Sequence, residues 1–324
     1  MSAKGSQPAP SHAWHVPPVV FRVAGLVVIA LSLASLSDAF LTVDNFLNVL
    51  RQAALLFLVA SGLTMVVVAG GLDLSIGATV GLSACLVATA VQATGSVAAG
   101  VFAGTLAGTV VGAVNGALVS GLRLKPIIAT YGMMWIVNGA TYWYMQGQTI
   151  YGFPERFRAI GSGHWLGVPV PVYLMGLALA AGVVFARLTI WGRQVYALGA
   201  NPDAARLSGV PVAARTFLVY ALSGAMGGAA GVVYLARLNS AEAGIGDALL
   251  LPAIAAVLVG GTSLFGGAGG LAGTLIGATM LTLVLNGMNL LVISSNWQPF
   301  VTGAIVLLAA ALDAVTRRRT GDAG

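Results

Sequence analysis

The chain has 324 residues, of which 58% are hydrophobic and 7% are charged, and its mean hydropathy is +0.94. A soluble domain has about 45–50% apolar and about 25% charged residues, so this composition excludes a cytosolic enzyme and a disordered chain. Cys85 is the single cysteine, which excludes an internal disulfide. The net charge of +6 comes from thinly spread basic residues, with one short run at 317–319, and does not indicate nucleic-acid binding.

Charge-free stretches predict where the chain crosses a membrane, since one helical crossing needs about 20 mostly apolar residues. Such stretches occupy residues 23–37, 52–72, 74–122, 126–154, 159–186, 216–236 and 248–312. Turn-forming residues divide the two longest stretches at 94–96, 260–270 and 294–299. The sequence therefore predicts an all-α integral membrane protein with about ten transmembrane helices.

Basic residues predict the orientation of these helices. An even number of crossings puts both termini on one side, and placing that side in the cytoplasm puts 11 of the 15 basic residues inside. The positive-inside bias favours this arrangement. We predict a cytoplasmic tail at 1–18, a permease-like transmembrane domain at 19–316 and a basic cytoplasmic tail at 317–324.

Glycines recur every four residues in two places. They are Gly100, Gly104, Gly108, Gly112 and Gly116 in one place, and Gly269, Gly273 and Gly277 in the other. The strings around them match at an offset of 169 residues, which indicates two five-helix repeats at about 19–150 and 169–316. Five is odd, so the second repeat is predicted to be inverted, as in many transporters. The glycines themselves are typical of close helix packing.

The longest predicted cytoplasmic loop, residues 187–214, contains a short helix. Asn201 is a good N-cap, Pro202 suits the first helical position, and Gly209 suits the left-handed position after the helix. These signals predict a helix over 202–208. An isolated helix of this length is unstable in water. The sequence leaves two interpretations open: docking to a cytosolic partner, or packing on the chain's own helix ends.

Four strings carry a family resemblance. They are GRQVYALG at 192–199, NPDAARLSG at 201–209, GGLDLSIG at 70–77 and VGGTSLFGG at 259–267. Together they resemble the permease subunits of ribose/xylose/arabinose-type (monosaccharide) ABC importers, a superfamily shared with branched-chain amino-acid permeases. The resemblance covers about residues 40–315, with the strings in family order.

The resemblance implies a membrane channel without catalysis in the bacterial inner membrane. Two permease copies, as a homodimer in membrane lipid, would enclose the path. A periplasmic sugar-binding protein would deliver the solute and a cytosolic ABC ATPase would supply energy. The coupling loop that contacts the ATPase maps to Gly192, Arg193, Ala197, Gly199, Asn201, Ala204, Ala205, Arg206, Ser208 and Gly209.

Catalytic, cofactor and metal signals are lacking in the sequence. Lys4 and Lys125 are the only lysines and neither lies in a phosphate-binding loop, so ATP would be bound by the partner. The three histidines form no cluster with acids or Cys85, so no metal site is predicted. Neither an enzyme nor a nucleic-acid partner is expected. Two alternatives stay open: the same machinery carrying a polyol, nucleoside or amino acid, and an autonomous secondary carrier.

Few polar residues fall at membrane depth. Asp73 precedes a predicted helix, so it either caps that helix, with Ser75 sharing the role, or serves in gating, coupling or proton carriage. Five further side chains either line a path or join helices by hydrogen bonds. They are Thr64, Asn115, Asn138, Asn286 and Asn289.

Overall fold

The computed structural model describes residues 18–320, and this part of the chain is built from helices. Their bounds are α1 Pro18–Leu36, α2 Val43–Val68, α3 Ile76–Thr94, α4 Val97–Ser120, α5 Pro126–Met145, α6 Glu155–Ser162, α7 Val170–Val183, α8 Ile190–Ala200, α9 Pro202–Leu207, α10 Val212–Leu238, α11 Leu250–Val259, α12 Leu271–Leu290 and α13 Gln298–Thr320. A π-helical turn, Val184–Leu188, extends α7. The predicted tails lie almost wholly outside the described residues, although α13 continues four residues past the predicted boundary at 316.

Four two-residue strands lie between the helices. They are β1 Ile150–Tyr151, β2 His164–Trp165, β3 Val168–Pro169 and β4 Ser240–Ala241. β1 pairs antiparallel with β4, with Ile150 opposite Ala241, and β2 pairs antiparallel with β3, with His164 opposite Pro169. The β1–β4 pair ties the segment after α5 to the segment after α10.

Eight helical segments of the described chain are long and apolar enough to cross a membrane. They are Val19–Leu36, Val43–Val68, Ile76–Thr94, Val97–Ser120, Val170–Leu188, Val212–Leu238, Leu271–Leu290 and Ser295–Val315. Two predicted crossings fall outside this group: α5, with 20 residues, and the shorter apolar segment Asp247–Val259, which contains α11. The predicted all-α membrane architecture is confirmed, and the count of ten crossings stays a prediction.

α2 and α10 form the centre of the molecule. α2 packs against α10, α11 and α12, whereas α10 packs against α2, α3 and α4. The most apolar stretch of α2 is 89% buried, while the corresponding stretches of α1 and of Ser295–Val315 are each 6% buried. A helix that is apolar on all sides is stable only inside a protein or in lipid, so lipid or another protein covers the exposed apolar faces of the peripheral helices.

The glycine stripe of α4 lies directly against glycines of α10. A Cβ atom at Gly108 would overlap the Gly224 carbonyl, and one at Gly112 would overlap the Tyr220 carbonyl. The two backbones therefore touch where neither helix carries a side chain, which is the usual reason for small residues every four positions in membrane helices.

Two non-helical segments interrupt the helical core. Residues 69–75 join α2 to α3, and residues 260–270 join α11 to α12. The break at 260–270 was predicted from its glycines, several of which adopt positive φ. The two segments meet near the end of α2, because a Cβ atom at Gly266 would overlap Gly70. The Gly267 amide also donates to the Val68 carbonyl at 2.8 Å.

Candidate functional site

The predicted short helix of the 187–214 loop is present as α9. The Asn201 Oδ1 atom accepts hydrogen bonds from the amides of Asp203, at 3.0 Å, and Ala204, at 2.9 Å. Gly209 adopts φ +81°, and the Val210 amide returns to the Ala205 carbonyl at 3.0 Å. The N-cap and the left-handed stop therefore lie where the sequence predicts them, and the helix ends at Leu207, one residue earlier than predicted.

α9 projects from the molecule with little of its own surface covered. Ala205 is its one buried residue, whereas the Leu207 side chain is 90% exposed. Arg206 donates to Asp203 at 3.3 Å in an exposed ion pair, which contributes little to stability. A short helix that buries a single alanine presents most of its surface for contact with another molecule.

The preceding helix, α8, was not predicted, and it anchors α9 to the helical core. A Cβ atom at Gly199 would overlap the Val68 carbonyl at the end of α2, and one at Gly192 would overlap the Phe185 carbonyl. Thr189 caps α8 by accepting from the Gly192 amide at 3.0 Å. α8 therefore connects α9 directly to the end of α2.

Two side chains strengthen this connection. The Tyr196 hydroxyl donates to the Gly269 carbonyl at 3.0 Å, and Arg215 on α10 donates to Gln194. Burial raises the pKa of the Tyr196 phenol, so it stays a protonated donor at neutral pH. Through these contacts α8 touches both the 260–270 segment and the start of α10.

The ten predicted coupling-loop residues divide into two groups. Gly192, Gly199 and Ala205 are buried contacts within the chain. The exposed ones are Arg193, Ala197, Asn201, Ala204, Arg206, Ser208 and Gly209. α9 itself packs on the rest of the chain only through Ala205, and its docking to a cytosolic partner stays a prediction. Exposed Leu207, at the tip of α9, was not singled out in the sequence.

Asp73 is buried at the centre of a polar network. Its Oδ1 accepts from the Ser75 amide at 3.0 Å and the Ser75 hydroxyl at 2.7 Å, and its Oδ2 accepts from the Ser223 hydroxyl at 2.8 Å. The Asn115 amide nitrogen donates to the Ser75 hydroxyl oxygen at 2.8 Å. Asp73 therefore accepts from the backbone amide just before α3, and its role in gating, coupling or proton carriage stays a prediction.

The predicted capping role of Ser75 is wrong. Its hydroxyl makes no capping bond to the start of α3, because that hydroxyl donates instead to Asp73. Ser223, which completes the network from α10, was missed in the sequence. The only local signal was its position beside Gly224 in a run of small residues.

Three of the five polar candidates join helices. Thr64 lies 2.8 Å from Thr274 between hydroxyl oxygens, and Asn286 donates to Asn45 at 2.8 Å. Asn115 belongs to the Asp73 network. All three are buried. They fit the interpretation as interhelical hydrogen bonds.

The other two lie nearer the surface. Asn289 accepts from Gln298 at 3.0 Å. Asn138 donates to Asp247 at 3.0 Å and lines a cavity of about 450 Å³ between α3, α5 and the segment before α11. A second cavity of about 420 Å³ shares Asp247 and is also lined by Gln52 and Arg237. Asp247 therefore lines both cavities.

The eight long apolar helical segments of the described chain define a multi-pass membrane protein. Residues 45–310 match the family described as branched-chain amino acid transport system / permease component. The chain belongs to this family. The resemblance stated from the sequence is thereby confirmed.

Curated relatives match nearly the whole chain. The ribose import permease protein of Bacillus subtilis (strain 168) is 40% identical over 89% of this chain and 90% of its own length. The corresponding protein of Escherichia coli (strain K12) is 40% identical over 90% of this chain and 92% of its own. The autoinducer 2 import system permease protein of Klebsiella pneumoniae is 34% identical over 92% of this chain and 86% of its own length. No solved structure gives a significant match.

These relatives are transport permeases and not enzymes. The chain is accordingly a permease component of the bacterial inner membrane with multiple crossings. The expectation from the sequence that the protein is not an enzyme is confirmed.

Proposed function

We propose that this protein is the transmembrane subunit of an ATP-driven importer that carries a monosaccharide into the cell. A cytosolic ABC ATPase docks on α9, a periplasmic binding protein delivers the sugar, and two copies of the chain enclose the path. The observation that carries the proposal is the capped, exposed α9, joined through α8 to the end of α2. The relatives named for ribose import support a sugar as the solute.

We further propose ten crossings in two inverted repeats, with both termini in the cytoplasm. Adding the repeat offset of 169 to the residue numbers of α2, Val43–Val68, gives 212–237. This range matches α10, Val212–Leu238, almost residue for residue. The same offset carries Gly77 onto Gly246, and these two glycines touch, since a Cβ atom at Gly246 would overlap the Gly77 carbonyl. Equivalent residues meet in this way close to a two-fold axis that relates the repeats.

Coupling in this proposal is a rigid-body movement. Closure of the ATPase around ATP moves α9, and the backbone contact between Gly199 and Val68 passes the movement to the end of α2. α2 packs along α10, α11 and α12, so both repeats respond together. ATP is bound by the ATPase alone, and the permease needs no cofactor of its own.

A pull-down from native membranes tests the docking role of α9. Leu207→Asp adds a charge at a 90% exposed position, so it should leave folding intact and abolish recovery of a P-loop ATPase by mass spectrometry. Val292→Asp is the matched control, because Val292 is equally exposed in the segment between α12 and α13, on the predicted outer side. Equal ATPase recovery with Leu207→Asp and the wild type would refute the docking role.

A further inference from the structure

The cavity of about 450 Å³ contains side chains that recognise polyhydroxylated solutes. Trp135, Asn138 and Tyr142 of α5 line it, and Asp247 lies opposite. Positions 135, 138 and 142 are three and four residues apart, so they share one face of the helix. We call the cavity lined by these four residues the α5 cleft.

In the proposed topology of ten crossings, α5 spans the membrane and the α5 cleft lies at membrane depth. Asn138 is seven residues before Met145, the last residue of α5, which places it about 10 Å from that end at 1.5 Å per residue. Trp135 lies about 15 Å from the same end. The cleft floor includes Gly77, where the two predicted repeats touch. The cleft therefore extends from the outer end of α5 toward the middle of the membrane.

Asp247 carries a carboxylate that is exposed at this site and takes part in no salt bridge within residues 18–320. Its Oδ1 accepts from the Asn138 amide at 3.0 Å, and the residue lines the cavity. An ionisable group in contact with lipid tails costs several kcal/mol, so such groups face water, a solute or another protein. The part of the α5 cleft beside Asp247 therefore faces water, a solute or another protein and not lipid tails.

The remaining groups of the cleft fit a neutral sugar. The Asp247 carboxylate and the Asn138 amide oxygen accept hydrogen bonds from hydroxyls, and the Tyr142 hydroxyl both donates and accepts. The exposed rings of Trp135 and Tyr142 offer apolar faces for the C–H face of a sugar ring. Apolar walls with a few polar groups are typical of small-molecule sites, and 450 Å³ is within their usual range.

The second repeat lacks these groups. The offset of 169 carries Trp135, Asn138 and Tyr142 onto Ala304, Leu307 and Ala311, which are small or aliphatic. Helix packing shared by both repeats would not require an indole, an amide and a phenol in one of them alone. The polar face of α5 is thus a specialised feature of the first repeat.

We propose that the α5 cleft contacts the transported monosaccharide, an inference that rests on the proposed function. Asp247 and Asn138 bind the sugar hydroxyls, and Trp135 and Tyr142 hold its apolar face. The sugar reaches the cleft from the outer cavity of about 420 Å³, which shares Asp247 and is also lined by Gln52, Arg237 and Gln298.

Cysteine labelling tests whether the cleft contains water, whatever the solute is. Buried Cys85 is first replaced by alanine, and the α5 variants Asn138→Cys and Ile136→Cys are compared in intact cells. A membrane-impermeant methanethiosulfonate should modify Cys at 138. It should leave 136 unmodified, because Ile136 lies at similar depth on α5 but does not line the cleft. Equally slow modification at both positions would overturn the proposal.

Uptake of radiolabelled D-ribose, D-xylose and L-arabinose tests the contact with sugar. Each variant replaces the wild-type gene in native cells, with membrane levels matched by immunoblot and ATPase recovery by pull-down confirming assembly. We expect Asp247→Asn and Asn138→Ala to lower kcat/KM for uptake by about five- to a hundredfold, the effect of leaving a polar partner unpaired. Ile136→Ala should transport like the wild type.

The outcomes separate the two proposals. Wild-type cells that take up none of the sugars contradict the proposed function, and the labelling still decides whether the cleft is a water-filled passage. Wild-type uptake that Asp247→Asn and Asn138→Ala leave unchanged overturns the α5 cleft as a sugar contact and leaves the importer intact.

Discussion

Asp73 shows how a carboxylate is kept at the centre of a membrane protein. It is 1% exposed, and its two oxygens accept hydrogen bonds from three donors, two in its own turn and one in a distant part of the chain. Ser75 supplies two of them from the same turn and Ser223 supplies the third from α10. Because a buried polar atom without a partner is costly, the network fixes α10 relative to the 69–75 segment.

Removing one of these donors should destabilise the protein. Ser223→Ala leaves Asp73 Oδ2 without its hydrogen bond, so we expect a loss of about 1–3 kcal/mol and a lower Tm in detergent. Ser35→Ala is the control, since Ser35 is exposed on α1 and its hydroxyl bonds to Ser32 three residues away. Identical Tm values for the two variants would show that the network does not stabilise the fold.

The difference between local and distant partners explains which residue roles could be predicted. Asp73 bonds to an amide two residues away, and capping rules describe such pairs from sequence alone. Ser223 lies 150 residues from Asp73, and Asn45 lies 241 residues from Asn286. No local pattern relates residues so far apart, so the sequence identified Asn286 as polar without indicating its partner.

α9 is the element whose bounds were predicted within one residue, because its start and stop signals are local. Asn201→Ala removes the acceptor for two amides and should cost about 0.5–2 kcal/mol of helix stability. If α9 docks the ATPase as proposed, affinity for the ATPase should fall about two- to thirtyfold in a titration with purified components.

Asn201→Asp is the matched control for this change. Aspartate caps helices as well as asparagine does, so this variant should bind the ATPase like the wild type. Undiminished affinity of Asn201→Ala would mean that the ATPase does not require a preformed α9.

The contact between α4 and α10 yields a prediction about packing. Gly112→Ala places a methyl group on the Tyr220 carbonyl, so the helices must separate, at a cost of about 1–3 kcal/mol. Gly176→Ala on α7 meets no atom within 4 Å and should raise stability slightly, because alanine is the better helix former. Thermal unfolding of both variants in one detergent measures the difference, and a Tm for Gly112→Ala at or above the wild-type value would contradict it.

The elements that the sequence described less well are those that depend on tertiary contacts. α8 has a local signal in its N-cap Thr189, but the close packing of Gly192 and Gly199 on other backbones is a feature of the fold and not of the local pattern. The predicted crossing between residue 248 and the break at 260–270 contains only the ten residues of α11, which follow a 3-10 turn and precede a glycine-rich turn. Apolar composition indicates that such a segment is buried, but it does not indicate how much of it is helical.

The molecule as a whole is organised around the crossed packing of its halves. α2 of the first half packs on α11 and α12 of the second, while α10 of the second packs on α3 and α4 of the first. Neither half has its own separate core, so we expect the two to fold and move together. The repeat was visible in the sequence through the offset of 169, whereas the exchange of central helices was not.

The number of crossings is the open property of the whole molecule, and it depends on α5 and on the Asp247–Val259 segment. Four exposed positions report on both when each is changed singly to cysteine in a Cys85→Ala background. They are Arg123, Trp165, Leu207 and Val292. α5 lies between the first two, and the Asp247–Val259 segment lies between the last two together with α10 and α12.

With ten crossings and cytoplasmic termini, an impermeant thiol reagent should label intact cells at Trp165→Cys and Val292→Cys only. Detergent-permeabilised cells should be labelled at all four positions, which controls for reactivity. If α5 does not cross, Arg123→Cys and Trp165→Cys are labelled alike. If Asp247–Val259 does not cross, Leu207→Cys and Val292→Cys are labelled alike, since only α10 and α12 then separate them. The expected pattern requires both segments to cross, because each crossing places the residues that follow it on the opposite side of the membrane.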